Sequence, residues 1–208
     1  MEIQIAPIAG NEIDEAIAVL TCAFMPDPIF SYFFPRPLDR AGVFAACFRA
    51  AVVVHRRFGH VYVAKHAGVV VGTAVWRSPD AGEPSAEDMA LEHRAAEAVA
   101  AIDPAAAAGL LGGFKTIAAQ HPAQPHWYLF FVGLDPALQG RGIGRRLLAP
   151  VLDAADASAT PCYLETPFAR THAFYRGLGF DIASEGHPFV DAPTVWTMLR
   201  QPRRSEVR

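Results

Sequence analysis

The chain has 208 residues, 52% of them hydrophobic and 19% charged, with a formal net charge of −3. That length suits one sizeable α/β domain, and the apolar share excludes a disordered chain. The slightly acidic balance leaves no basic footprint for nucleic acid. Met1-Glu-Ile-Gln-Ile lacks the charged start and apolar core of a signal peptide. The longest apolar stretch, residues 43–54, is interrupted by Arg49, so no membrane span or membrane partner is expected. Cys22, Cys47 and Cys162 are odd in number and sit in apolar segments. They read as small reduced core residues, as in a cytoplasmic protein.

Residues 2–7 alternate polar and apolar and predict an opening strand. Asn11 is placed to cap a helix whose apolar face is Ile13, Ile17 and Leu20, running to about Phe24. Met25-Pro-Asp-Pro28 breaks it, and the aromatic group Phe30, Tyr32, Phe33 and Phe34 follows. Leu38 to Phe58 predicts a second helix. His60–Lys65 and Val69–Arg77 predict a hairpin turning at His66-Ala-Gly68. Ser85 then starts a helix reaching about Ile102, and Asp103-Pro-Ala opens another that ends near His121-Pro122. Together these form a helical insertion at about residues 78–125, read either as packing or as part of a ligand site. With no repeat and no long linker, residues 1–208 are read as a single domain.

Trp127-Tyr-Leu-Phe-Phe-Val-Gly-Leu-Asp-Pro predicts an aromatic and aliphatic strand, and Gln139-Gly-Arg-Gly-Ile-Gly-Arg-Arg a glycine loop running into a helix. The first turn of a helix leaves its N–H groups without intrahelical partners and carries partial positive charge. Glycines at 140, 142 and 144 clear side chains from that spot, which makes a socket for phosphate or pyrophosphate. Arg141, Arg145 and Arg146 add charge in the same turn. The dinucleotide pattern fails, because its third glycine would fall on Arg145. The nucleoside-triphosphate loop fails for want of its Lys. What fits is Gln-x-x-Gly-x-Gly, at Gln139, Gly142 and Gly144. Further on, Cys162-Tyr-Leu-Glu-Thr reads as a buried strand and Thr171-His-Ala-Phe-Tyr-Arg-Gly-Leu-Gly-Phe as a short helix stopped by Gly179. Asp181–His187 and Thr194–Leu199 close the chain as strands.

These two blocks, in this order, resemble the coenzyme A loop and the last motif of the GNAT family of N-acetyltransferases. Within it they are most similar to puromycin N-acetyltransferase-like members, over about residues 126–199. The resemblance implies a three-layer α/β (α+β) fold, with helices on both faces of a mixed, largely antiparallel twisted sheet. It implies acetyl-CoA as cosubstrate and acetyl transfer by direct attack to an amine, here a small molecule; His55, His93 and the other histidines show no metal-ligand spacing, so no metal is expected. A peptide or protein amine, or a silent coenzyme A-binding sensor, stands as the alternative, and a homodimer stays open. The expected cofactor contacts are Val132, Gly133, Leu134, Gln139, Gly140, Arg141, Gly142, Ile143, Gly144, Arg145 and Thr171. The sequence departs from many relatives in having no Asn within Pro167-Phe-Ala-Arg-Thr171.

The chemistry requires a held thioester, a neutral amine, a stabilised oxyanion and a protonated leaving thiolate. An extended pantetheine arm can add to a strand edge, and Val132–Leu134 is the natural edge. Gly133 within that strand marks a bulge or a close approach of another chain. Tyr175 is the expected acid for the thiolate, with a core stripe alongside Phe174, Leu178 and Phe180 as its other reading. Glu165 is the first candidate base, and it reads equally as a buried structural carboxylate; His126 is the second base if it projects into the cleft. Asp27, Phe30, Tyr32 and Phe33 are placed on the acceptor side, where a cation meets negative charge and π faces; the aromatics read equally as core.

Overall fold

The structure, a computed structural model, describes residues 1–188 and 191–203. Its strands are β1 (Gln4–Pro7), β2 (Val61–His66), β3 (Val69–Arg77), β4 (Trp127–Leu134), β5 (Cys162–Thr166), β6 (Asp181–Gly186) and β7 (Val195–Arg200). Its helices are α1 (Ile13–Phe24), α2 (Pro28–Phe33), α3 (Pro37–Arg56), α4 (Ala86–Ile102), α5 (Pro104–Ala118), α6 (Ile143–Ala157) and α7 (His172–Gly177). The strands form one sheet in the order β1-β2-β3-β4-β5-β7-β6. Neighbours pair antiparallel except β4 and β5, which run parallel. The expected mixed, largely antiparallel sheet is therefore present.

Central β3 is buried on both faces, which suits its Val-rich run. Val70 and Val75 pack with Leu20, Phe44, Phe48 and Leu110 on the face covered by α1, α3 and α5. Val71, Ala74 and Trp76 pack with Leu147, Leu148, Leu164 and Met198 on the α6 face. The alternation changes phase at Val71, where an irregularity in the β2–β3 register adds one residue. The hairpin turn holds Ala67 and Gly68 at φ 49° and 83°, the left-handed pair that matches strand twist.

The parallel pairing is brief. β4 and β5 meet only at Trp127↔Cys162 and Tyr128↔Tyr163. Beyond Tyr128 they part, and the opening between them faces the start of α6.

Several expectations are corrected here. Asn11 does not cap α1. It lies in a single 3₁₀ turn, Gly10–Glu12, and it is the Glu12 carboxylate that accepts the Ala9 N–H at 2.7 Å. The aromatic group is itself helical, as α2, because Asp27 caps it by accepting the N–H groups of Ile29 and Phe30. Cys22 is exposed and not a core residue, since it falls on the outer side of α1. Gly133 holds no bulge; the extra residue of β4 is Phe130. What approaches Gly133 is α1, since a Cβ there would lie 2.9 Å from Ala23 Cβ and 3.1 Å from Leu20 Cδ2.

Candidate functional site

The end of β4, a turn at Pro136–Leu138 and the first turn of α6 surround the mouth of the opening between β4 and β5. Gly140 and Gly142 have φ of 75° and 77°, and Gly142 is the N-cap of α6. A Cβ at either would meet nothing within 4 Å. The left-handed backbone, more than crowding, thus demands glycine, and its bare surface leaves room for a ligand. No side chain caps this helix start. The N–H groups of Ile143, Gly144 and Arg145 therefore converge without protein acceptors, the donor set that an anion such as a diphosphate requires. Gly144 serves a second purpose: a Cβ there would lie 3.2 Å from the Phe174 ring on α7.

The arginines divide. Arg145 donates to the Gly177 carbonyl at the end of α7 (2.8 Å), and Arg146 reaches away to the Ile3 carbonyl (2.6 Å). Arg141 is exposed and does not line the cavity described next. Gln139 donates back to the Leu134 carbonyl (3.4 Å), closing the loop onto β4.

From this mouth a cavity of about 1430 Å³ runs through the opened sheet to the helical insertion. Val132, Gly133, Leu134, Gln139, Gly140, Gly142, Ile143, Gly144, Arg145 and Thr171 line it, as do Glu165, Tyr175, Asp27, Phe30 and His126. Tyr32 and Phe33 do not. Tyr32 is exposed, and Phe33 packs where Gly109 of α5 leaves space. The far end is aromatic, with Phe24, Phe114, Phe130, Phe131 and Tyr128 joining Phe30, and α4 and α5 form one of its walls.

Thr171 begins α7 without capping it. Its hydroxyl donates to the Phe168 carbonyl (2.8 Å) and lies 3.0 Å from the Thr166 hydroxyl, which accepts the Phe168 N–H. This threonine pair orders the turn between β5 and α7. Gly179, at φ 96°, ends the segment, with Phe180 N–H donating to the Tyr175 carbonyl (3.1 Å). Tyr175 packs against Phe174 and Phe180 and is 7% exposed. Burial pushes its phenol well above the ordinary value, so it stands protonated.

Glu165, on β5, lines the cavity beside a cluster of polar rings. His121, from the loop after α5, brings Nε2 to 3.0 Å from Glu165 Oε1. This is close enough for an ion pair, yet the N–H lies off the line of a hydrogen bond. His121 Nδ1 is 3.2 Å from His126 Nε2, and His126 Nδ1 donates to the Gln124 carbonyl at 2.9 Å. Burial lowers the His126 pKa. Tyr128 and Tyr163 face the same carboxylate, and burial, then the Glu165 charge, raises both phenols. Sequence reasoning missed His121, Tyr128 and Tyr163; only the flanking prolines Pro122 and Pro125 hint that this loop is held. Asp27 is 3% exposed, and burial raises its carboxyl to about 6. Among the described residues, no cluster of His, Cys, Asp or Glu is arranged to hold a metal ion, and no helix is long and apolar enough to cross a membrane.

The chain belongs to the acetyltransferase (GNAT) family, whose model matches residues 21–180. It is 40% identical over 73 residues to the N-alpha-acetyltransferase RimI of Mycobacterium tuberculosis, a match covering 35% of this chain and 46% of that protein. The matched region thus spans less than half the length of that curated relative. Among solved structures, a histone acetyltransferase HPA2 and related acetyltransferase from Corynebacterium glutamicum aligns with a TM-score of 0.73 at 24% identity, over 100% of both chains. An agmatine N-acetyltransferase aligns with a TM-score of 0.66 at 15% identity, over 97% of this chain and 100% of that one. At such identities the likeness is one of fold.

Proposed function

We propose that this N-acetyltransferase moves an acetyl group from acetyl-CoA to the amine of a small, largely apolar molecule by direct attack. One observation carries the reading. A single cavity joins the bare amides at Gly140–Arg145, the strand edge at Val132–Leu134, the Tyr175 phenol and an aromatic end under α5. The first-turn amides of α6 would hold the diphosphate and the β4 edge the pantetheine amides; Gln139 and Thr171 shape the two sides of that channel. The thioester supplies an activated acetyl group.

In balance, the amine nitrogen forms the C–N bond as the C–S bond breaks. One proton of the starting ammonium leaves beforehand, and the second nitrogen proton replaces the one that Tyr175 gives to the thiolate. Burial keeps the phenol protonated, so it has a proton to give to the thiolate. Glu165 collects the first proton as base. Asp27 caps α2 with the same carboxylate that borders the cavity, so its charge is available to an acceptor only alongside that structural task. Acetylation of a peptide α-amine is the second reading, supported by the likeness to RimI; the aromatic lining of the cavity supports the small molecule.

Free-thiol release from acetyl-CoA across a panel of apolar and peptidic amines tests the proposal, with Tyr175→Phe beside the wild type. Tyr175→Phe is expected to lose on the order of 10²-fold in kcat while calorimetric coenzyme A affinity stays within about twofold. Wild-type turnover with no amine, or equal turnover in the variant, would count against the assignment.

A further inference from the structure

We propose that His121 and His126 are positioning residues that carry the ammonium proton from Glu165 to solvent. The inference rests on the reading above in taking Glu165 as the base. Glu165 is poorly placed to release a proton alone, because its side chain is only 10% exposed. Its Oε1 and the Tyr163 hydroxyl are both buried without an aligned hydrogen-bond partner. A carboxylate enclosed to that degree needs an exit for any proton it takes up.

The two histidines form that exit. His126 Nδ1 faces the Gln124 carbonyl, which can only accept, so Nδ1 carries hydrogen and Nε2 is left to face His121. The 3.2 Å His121 Nδ1–His126 Nε2 contact holds one proton between the rings. His121 Nε2 stands 3.0 Å from Glu165 Oε1 but off the line of a hydrogen bond, so a small turn of the ring brings the two into line for proton transfer. The geometry is that of a relay, with the three groups in sequence from Glu165 through His121 to His126. One proton enters at Glu165 for each that leaves from His126, at the half-buried rim of the loop.

The surroundings keep the rings in line. His121 packs against Tyr128 and Tyr163 with ring centroids 4.5 and 4.6 Å away, and His126 lies 5.7 Å from Tyr163. Pro122 and Pro125 fix φ within the connecting loop. The titratable groups facing the relay are Glu165 and Tyr163 from β5 and Tyr128 from β4. Arg77 from β3 opposes charge on His126. Ser184 and Thr197, from β6 and β7, bond each other and are neutral.

The test follows acetylation of one amine from about pH 6 to about pH 10 in wild type, His121→Gln and His126→Gln, with coenzyme A affinity measured by calorimetry. Near pH 7, His121→Gln is expected to lose on the order of 10²-fold in kcat/KM, with a smaller loss in His126→Gln. Both gaps should close toward pH 10, where the amine arrives neutral. A loss of equal size at every pH would mean a packing role and overturns the proposal. Imidazole NMR gives a readout independent of turnover. The His126 titration should move up in His121→Gln and down in Glu165→Gln, because the two neighbours act on it with opposite sign. If it moves in neither, the groups are uncoupled and the relay is wrong. Absence of acetyl transfer to any amine in the wild type would instead count against the function, leaving the NMR result to decide the coupling.

Discussion

Asp27 shows how one side chain can cap a helix and carry a perturbed carboxyl at once. It is buried, it accepts two amide N–H groups at the start of α2, and its carboxyl is raised from an ordinary 3.8 to about 6 because burial outweighs those bonds. A folded pKa above the unfolded one means that the folded state binds the extra proton. Its contribution to stability is therefore greatest below about pH 4 and is lost as pH rises through about 6. Asp27→Asn keeps the accepting oxygen and removes the charge. The variant should gain about 2 kcal/mol over wild type at pH 7 and little at pH 4, measured by urea unfolding at both. An equal or less stable variant at pH 7 would show that the charge is compensated. The sequence marked Asp27 for an acceptor site, by its place among aromatics. It could not show burial, which depends on where α3 and α5 pack.

At the scale of elements, one ion pair ties β7 to α6. Arg200 of β7, its side chain 3% exposed, donates to both oxygens of Asp156 in α6 (2.8 and 2.6 Å) and to the Leu178 carbonyl after α7 (3.0 Å). It thus joins the helix that carries the glycine loop to the one that carries Tyr175. Asp156→Ala leaves a buried guanidinium without its counter-ion and should cost about 3 kcal/mol in urea unfolding, whereas Asp156→Leu with Arg200→Leu should recover part of that loss. A single-variant cost below about 0.5 kcal/mol would show the pair to be replaceable. Most elements were legible because their signals are local: the Ser85 cap of α4, the Asp103 cap of α5, the left-handed hairpin turn and the Gly179 stop. α2 was missed because six residues give too few turns for a helical period to emerge. The order β5-β7-β6 at the edge was also hidden, since strand order is set by long-range pairing.

At the scale of the whole molecule, a sheet that parts beyond Tyr128 leaves a half-open cleft of about 1430 Å³. A ligand that fills it and binds only the folded chain must stabilise the fold, by about 2.7 kcal/mol at a hundred times its Kd. For a chain of this size that is a rise of roughly 5–10 °C in Tm. Coenzyme A should give such a shift in a thermal melt. In Gly142→Val most of it should vanish, because a β-branched residue at φ 77° is strained and its side chain occupies the cradle. The same melt without ligand should show the variant weakened by about 1–2 kcal/mol. A full ligand shift in Gly142→Val would place the diphosphate elsewhere.

The glycine loop, the strand before it and the Tyr175 helix were readable from the chain alone, because backbone conformation and helix starts obey rules that act over a few residues. The family followed from those same segments. Where β4 and β5 part, which residues reach the space they leave, and the meeting of His121 with Glu165 are different in kind. His121 and Glu165 stand 44 residues apart in sequence, and only the packing of the insertion against the opened sheet brings an imidazole within 3.0 Å of that carboxylate. Local sequence chose the parts of the site; their distances were settled by burial of the two apolar faces of the sheet.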